Sequence, residues 1–123
     1  MKTIATNRAP AAIGPYSQAK TLGNLLFTSG QIPLDAKTGE ICGQDVAAQA
    51  HCAIQNLGAI LEEAGSGFEK VLKTTCFLAD MADFSAFNAV YEQYFTGKPA
   101  RSCVAVKALP KGVLCEVEAI AEI

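Results

Sequence analysis

Between Asp45 and Gly65 the apolar residues Val46, Ala50, Ile54, Leu57, Leu61 and Ala64 recur at helical spacing. Asp45 can cap the start and Gly65 can stop the end, so the spacing predicts one long helix to about Ala64. Its other side carries Gln49, Gln55, Glu62 and Glu63, which predicts a helix lying by one stripe on a sheet. The runs that could supply the sheet alternate or are β-branched. They are Lys2 to Thr6, Tyr16 to Leu22, Asn24 to Ser29, Leu72 to Ala79, Arg101 to Leu109 and Leu114 to Ala121. Gly23 reads as a hairpin turn, Gly30 to Gly43 as a loop, and Pro110/Gly112 as the turn joining the last two runs. A second helix, with Asp83 as its cap, should run to about Phe95 on a stripe of Phe84, Phe87, Tyr91, Tyr94 and Phe95, with Asn88 inside that stripe.

The resulting order, ββ(β)–α–β–α–β–β, is an α/β (α+β) domain in which two helices cover one face of a mixed sheet. The 123 residues suffice for a single domain, residues 1–123, that buries about two-thirds of its surface. The sheet's second face stays apolar at Leu25 and Phe27, or Val104 and Val106. With 50% hydrophobic and only 18% charged residues, the composition is lean in charge. Both observations predict self-assembly through that face.

A net charge of −2 offers no basic excess for nucleic acid. No apolar run approaches a membrane span, and the N-terminal stretch lacks a signal-peptide core. The five cysteines, Cys42, Cys52, Cys76, Cys103 and Cys115, are scattered and form no C-x-x-C pair. With one histidine, they predict no zinc site, and they read as free thiols suited to a reducing cytosol. No phosphate-binding glycine loop precedes a helix, since Gly65-Ser-Gly67 follows one.

Chemistry concentrates in a few polar groups set in apolar ladders. Arg101 opens a strand just after Pro99 and shares a strand face with Cys103, opposite Ser102 and Val104. Such a guanidinium must find an anion. The anion is either a carboxylate of the chain (Glu116, Glu118 or an aspartate) or one from a ligand, for which the planar fork of arginine is the better clamp. Glu116 and Glu118 share a face and either meet solvent or place one carboxylate beside a water as general base. Ser29-Gly30 is turn chemistry, or a hydroxyl and an N–H aimed at a ligand. Tyr16 is a core plug or a lid. Asn88 is a structural amide or a ligand contact. Cys103 is a small buried residue whose backbone can meet a ligand. His51, on the flank of the first helix, reads as a surface residue and leaves Ser29 without a histidine base.

These blocks, GPYSQA, TSGQIPLDAKTGE, the asparagine of FNAVYEQYF, PARSCV, and LP followed by CEVEAIA, span nearly the whole chain, and together the sequence resembles the RidA/YjgF family. The resemblance implies a chorismate-mutase-like fold and a homotrimer with a central β-barrel and sites in the clefts between subunits. It also implies cytoplasmic hydrolysis, with no cofactor, of short 2-imino acids such as 2-iminobutanoate and 2-iminopropanoate. By motif match, Arg101 binds the substrate carboxylate and Glu116 handles the attacking water. Ser29, Gly30, Asn88 and the backbone of Cys103 contact substrate, and Tyr16 closes the pocket. The stretch Thr96-Gly-Lys98 is shorter than in many relatives, and Cys115 replaces an aliphatic residue. A non-catalytic trimer that senses keto or amino acids, and a ribonuclease or translation inhibitor, are the alternatives this family allows.

Overall fold

Asp45 starts the long helix as expected, its side chain accepting the Ala48 N–H at 2.8 Å. In the computed structural model, which describes residues 1–123, this helix, α1, spans Val46–Glu63. Gly65 ends it at φ 83°, and the Ser66 N–H closes back on the Leu61 carbonyl at 2.8 Å. The second helix, α2, spans Phe84–Tyr94. Asp83 does not cap it. The chain enters through a 3₁₀ turn over Met81–Asp83, and Asp80 accepts from the Ala82 N–H at 2.9 Å. With that turn ahead of α2, the capping acidic residue sits three positions earlier.

Six strands form one sheet: β1 Thr3–Ile4, β2 Ala19–Leu22, β3 Leu25–Thr28, β4 Val71–Leu78, β5 Ala100–Ala105 and β6 Cys115–Glu122. Their order is β1-β2-β3-β6-β4-β5, antiparallel except for the parallel pair β4/β5. Gly23, at φ 59°, turns β2 into β3 as the sequence suggested. Tyr16 lies ahead of β2 and outside it. The closing run Arg101–Leu109 is shortened to β5, the run Leu114–Ala121 becomes β6 one residue further on, and the two are not neighbours, because β4 lies between them. The connection 106–114 is pinned to the end of β4 at both sides, Val106 N–H to Leu78 O at 2.9 Å and Ala79 N–H to Leu114 O at 3.0 Å. It therefore carries the chain across β4 and cannot fold back as a hairpin.

Both helices pack on one face of the sheet. Leu26, Thr74, Cys76, Leu78, Cys115, Val117, Ala119 and Ala121 are buried there against Ile54, Leu57, Leu61, Phe87 and Tyr91. Each fully buried aliphatic side chain contributes about 1.5–3 kcal/mol. The α1 stripe is the expected one, but Gln49 is buried and not solvated. Its Oε1 accepts the Leu114 N–H at 2.8 Å and its Nε2 donates to the Gly43 carbonyl at 3.2 Å. The opposite face has no cover. Phe27 is 42% and Val104 46% exposed there, and Glu116, Glu118 and Ile120 stand on it partly buried. Neither helix is long and apolar enough to cross a membrane.

Candidate active site

Arg101 sits on edge strand β5, opposite Thr74 of β4, on the face covered by helices. The alternation predicted for Arg101 and Cys103 holds: both are partly buried, while Ser102 and Val104 are exposed. The Arg101 guanidinium lies 4.7 Å from the Tyr91 ring centroid and 5.5 Å from that of Phe84. Its Nη1 donates to Asn88 Oδ1 at 2.6 Å. Tyr91 is itself fixed, its hydroxyl bonded to Thr74 Oγ1 at 2.7 Å inside the core. Asn88 is thus a structural amide whose partner is Arg101, which it aims.

No carboxylate of the chain pairs with this cation. The one ion pair, Arg8–Glu62 at 2.8 Å, lies on the exposed surface elsewhere. The question left open by sequence is decided within one chain: Glu116 and Glu118 are not partners of Arg101. The guanidinium opens on a cleft of about 370 Å³ lined by Asn88, Tyr91, Glu92, Lys98, Pro99 and Arg101. Burial pushes the Cys103 thiol up, against the opposing pull of Arg101, which makes it a poor nucleophile.

Glu116 belongs to a second cluster. It stands on the uncovered face of β6, opposite Phe77, and shares that face with Glu118. Burial raises its carboxyl above the ordinary glutamate range, and the charge of Glu118 adds to the shift. Its Oε2 occupies space that only a glycine leaves open: a Cβ on Gly30 would fall 2.1 Å from it. Gly30 is held there because Gln31 and Val117 exchange two backbone hydrogen bonds, at 2.8 and 3.0 Å. The Gly30 N–H donates to nothing in the chain. Ser29 ties this point to the segment ahead of β2, donating its hydroxyl to Ser17 O at 2.6 Å and its N–H to Gln18 O at 2.8 Å. Tyr16 is 53% exposed and lines, with Gly30, Gln31, Ile32 and Pro110, a cleft of about 360 Å³.

The predicted site residues therefore fall into two sets. Tyr16, Ser29, Gly30 and Glu116 gather on one side, and Asn88, Arg101 and Cys103 on the other. Arg101 and Glu116 project from opposite faces of the sheet, two strands apart, and cannot reach one small ligand within a single chain. Tyr91 and Thr74, which seat Arg101, were not read from sequence as site residues. The signal was present in the helical spacing of Asn88 and Tyr91, which puts both on one face of α2. His51 is partly buried, bonded through Nδ1 to the Tyr94 hydroxyl at 2.8 Å. Cys42 and Cys52 are not free thiols but a bonded pair, which their ten-residue spacing did not suggest. No group of three or more His, Cys, Asp or Glu side chains is arranged to hold a metal ion.

The family model described as Endoribonuclease L-PSP matches residues 6–123. A protein of Escherichia coli K12 named 2-iminobutanoate/2-iminopropanoate deaminase is 55% identical over 124 residues, covering 98% of this chain and 96% of its own. A Lactococcus lactis protein named as a regulator, AldR, is 54% identical over 100% of this chain and 98% of its own. Among solved structures, the YjgF gene product of E. coli superposes with a TM-score of 0.94 at 53% identity, covering 99% of this chain and 98% of that one. E. coli TdcF with bound serine gives 0.95 at 47% identity, over 100% and 99%.

Proposed function

Because the chain belongs to the RidA/YjgF family, we propose that it is a deaminase that hydrolyses short 2-imino acids and their enamine tautomers to 2-keto acids and ammonia. The observation that carries this reading is Arg101: a cation mounted on Tyr91, aimed by Asn88, facing a cleft and making no ion pair within its own chain. A substrate carboxylate supplies the anion, with each charge-assisted bond worth about 1.5–3 kcal/mol. A 2-imino acid bound this way holds its electrophilic carbon at a fixed distance from the clamp.

Glu116 takes a proton from a water, whose oxygen adds to the C=N carbon. Glu116 returns that proton to the nitrogen of the tetrahedral adduct, the C–N bond breaks to release ammonia, and the adduct's hydroxyl gives up its own proton as the 2-keto acid forms. The unshared Gly30 N–H and the Cys103 backbone hold water and substrate, and Tyr16 closes over them. The carbon is already electrophilic, so orientation and one base suffice, without cofactor or metal. The split of the site residues favours clefts between subunits of a homotrimer whose uncovered faces form the central barrel, each cleft taking Arg101 from one chain and Glu116 from its neighbour. The same reading puts the protein in the cytoplasm, removing reactive imines released by pyridoxal-phosphate-dependent dehydratases.

A second reading, a trimer that binds keto or amino acids to regulate, is favoured by the relative named as a regulator and by the serine held in TdcF. Arg101 would serve it equally. Nuclease action is the poorer fit, given a net charge of −2 and one histidine engaged by Tyr94. The deciding experiment generates 2-iminopropanoate in situ with an amino-acid oxidase and follows its loss. Acceleration by the wild type that disappears in Arg101→Ala is expected. No acceleration by the wild type leaves the binding reading, and equal rates for the two proteins overturn the clamp.

A further inference from the structure

The loop after Gly30 makes an excursion that folds back on α1. Leu34 bridges Ile41, the Cys42 N–H donates to Pro33 O at 2.8 Å, and Asp35 Oδ1 accepts from Lys37 and Thr38 at the tip. Asn56, buried on α1, donates to Leu34 O at 2.9 Å and Ile32 O at 3.2 Å. Gly43 then returns the chain to the helix. Its φ is 81°, and a Cβ there would meet Ala48 Cβ at 2.5 Å. That tight return sets Cys42 over Cys52, with their Cα atoms 6.3 Å apart and their sulfurs bonded.

We propose that Cys42 and Cys52 are a reversible dithiol–disulfide site, oxidised by small hydroperoxides, that fastens the 31–43 excursion to α1. This does not rest on the deaminase reading. Both residues are partly exposed and line a cavity of about 970 Å³ with Lys37, His51 and Asn56, so a peroxide reaches them from solvent. Of the other three thiols, Cys103 is partly buried and pushed up by that burial. Cys76 and Cys115 are buried and pushed up to about 12, mainly by that burial. Because Asn56 and the Pro33 carbonyl already hold the excursion, the reduced chain keeps the same fold and only the covalent link changes.

Chemically, one thiolate attacks a peroxide oxygen and breaks the O–O bond, giving a sulfenic acid and water. The second thiolate attacks that sulfur, forms the S–S bond and expels the oxygen as a second water. Two thiols lose two electrons to one hydrogen peroxide, and an added dithiol reverses the change by exchange. The fastened segment matters because Ile32 and Leu34 line the Tyr16–Gly30 cleft, while Leu34 also backs the cysteine cavity.

The test exposes reduced, purified protein to stoichiometric hydrogen peroxide, blocks residual thiols and maps the peptides by mass spectrometry. A Cys42–Cys52 linked peptide within one chain is expected, making the chain about 2 Da lighter, and dithiothreitol should restore both thiols. The melting temperature should rise on the order of 5–10 °C on oxidation, and tryptic cleavage after the exposed Lys37 should slow several-fold. Cys42→Ser and Cys52→Ser should each lose both effects. Sulfinic acid on single cysteines, links between chains, or a bond that dithiothreitol cannot open in the folded protein would overturn the site. Unchanged melting and proteolysis in a protein carrying the linked peptide would overturn its fastening role.

Discussion

The Arg101 and Glu116 clusters are built in opposite ways. Arg101 is seated by side chains: an aromatic plate, an amide acceptor and, behind them, a core hydroxyl pair. Glu116 is seated by backbone, in a gap left by the missing side chain of Gly30 and framed by the Gln31–Val117 bridge. One cluster is a cation with no ion-pair partner in its chain, the other a carboxylate with none, and the sheet separates them. Each is an incomplete electrostatic unit, and their incompleteness is complementary. That complementarity, more than either cluster alone, argues for a site shared between chains.

The sharpest way to break this comparison is to lose one cluster at a time. Arg101→Ala should lower kcat/KM for 2-iminopropanoate by a hundred- to a thousand-fold or more, on the order of two charge-assisted bonds. Glu116→Gln should cost about a hundredfold or more in kcat, as expected for a lost general base. Neither variant should regain activity alone. Dissociated together and reassembled in equal amounts, they should recover about a quarter of wild-type turnover, since one in four neighbouring pairs then carries both intact halves. No recovery in correctly assembled mixtures would mean that one chain supplies both groups.

The Glu116 half carries its own pH signature. Its raised carboxyl should put the acid limb of kcat/KM above the ordinary glutamate range, and Glu116→Gln should remove that limb. Stability has the matching sign. A raised carboxyl stabilises the fold while protonated and loses that contribution as pH rises from 4.5 through the higher folded value. Glu116→Gln should therefore melt slightly above the wild type at neutral pH, with the gap closing on acidification.

Smaller effects separate the two styles of seating. Gly30→Ala must push the Glu116 carboxylate aside and should lower kcat about tenfold with little change in KM. Asn88→Ala leaves Arg101 on its aromatic plate but unaimed, so it should raise KM several-fold and spare kcat. A kcat loss in Asn88→Ala as large as that of Gly30→Ala would erase the distinction between them.

Sequence periodicity made the helices, the sheet and its uncovered face legible, because each depends on local spacing. It also put Arg101 and Cys103 on a common face, and Glu116 and Glu118 on a common face, because strand alternation is rigid. It could not say that the two faces differ, since that depends on which strands pair. The chain's crossing over β4 between residues 106 and 114 decides it. Gln49 and Asn56 were misread or passed over for a related reason. A buried amide on a helix looks like a solvated one until the loop whose carbonyl or N–H it satisfies is in place. The Cys42–Cys52 contact depends on the left-handed return at Gly43, which cysteine spacing does not encode.

Placing Arg101 and Glu116 on opposite faces of one sheet also makes concentration a catalytic variable. Under the shared-site reading, a well-folded solitary chain has no turnover, so specific activity falls on dilution as neighbours part, with no unfolding and no inhibitor. Dilution series read by turnover and by light scattering should then trace a single curve.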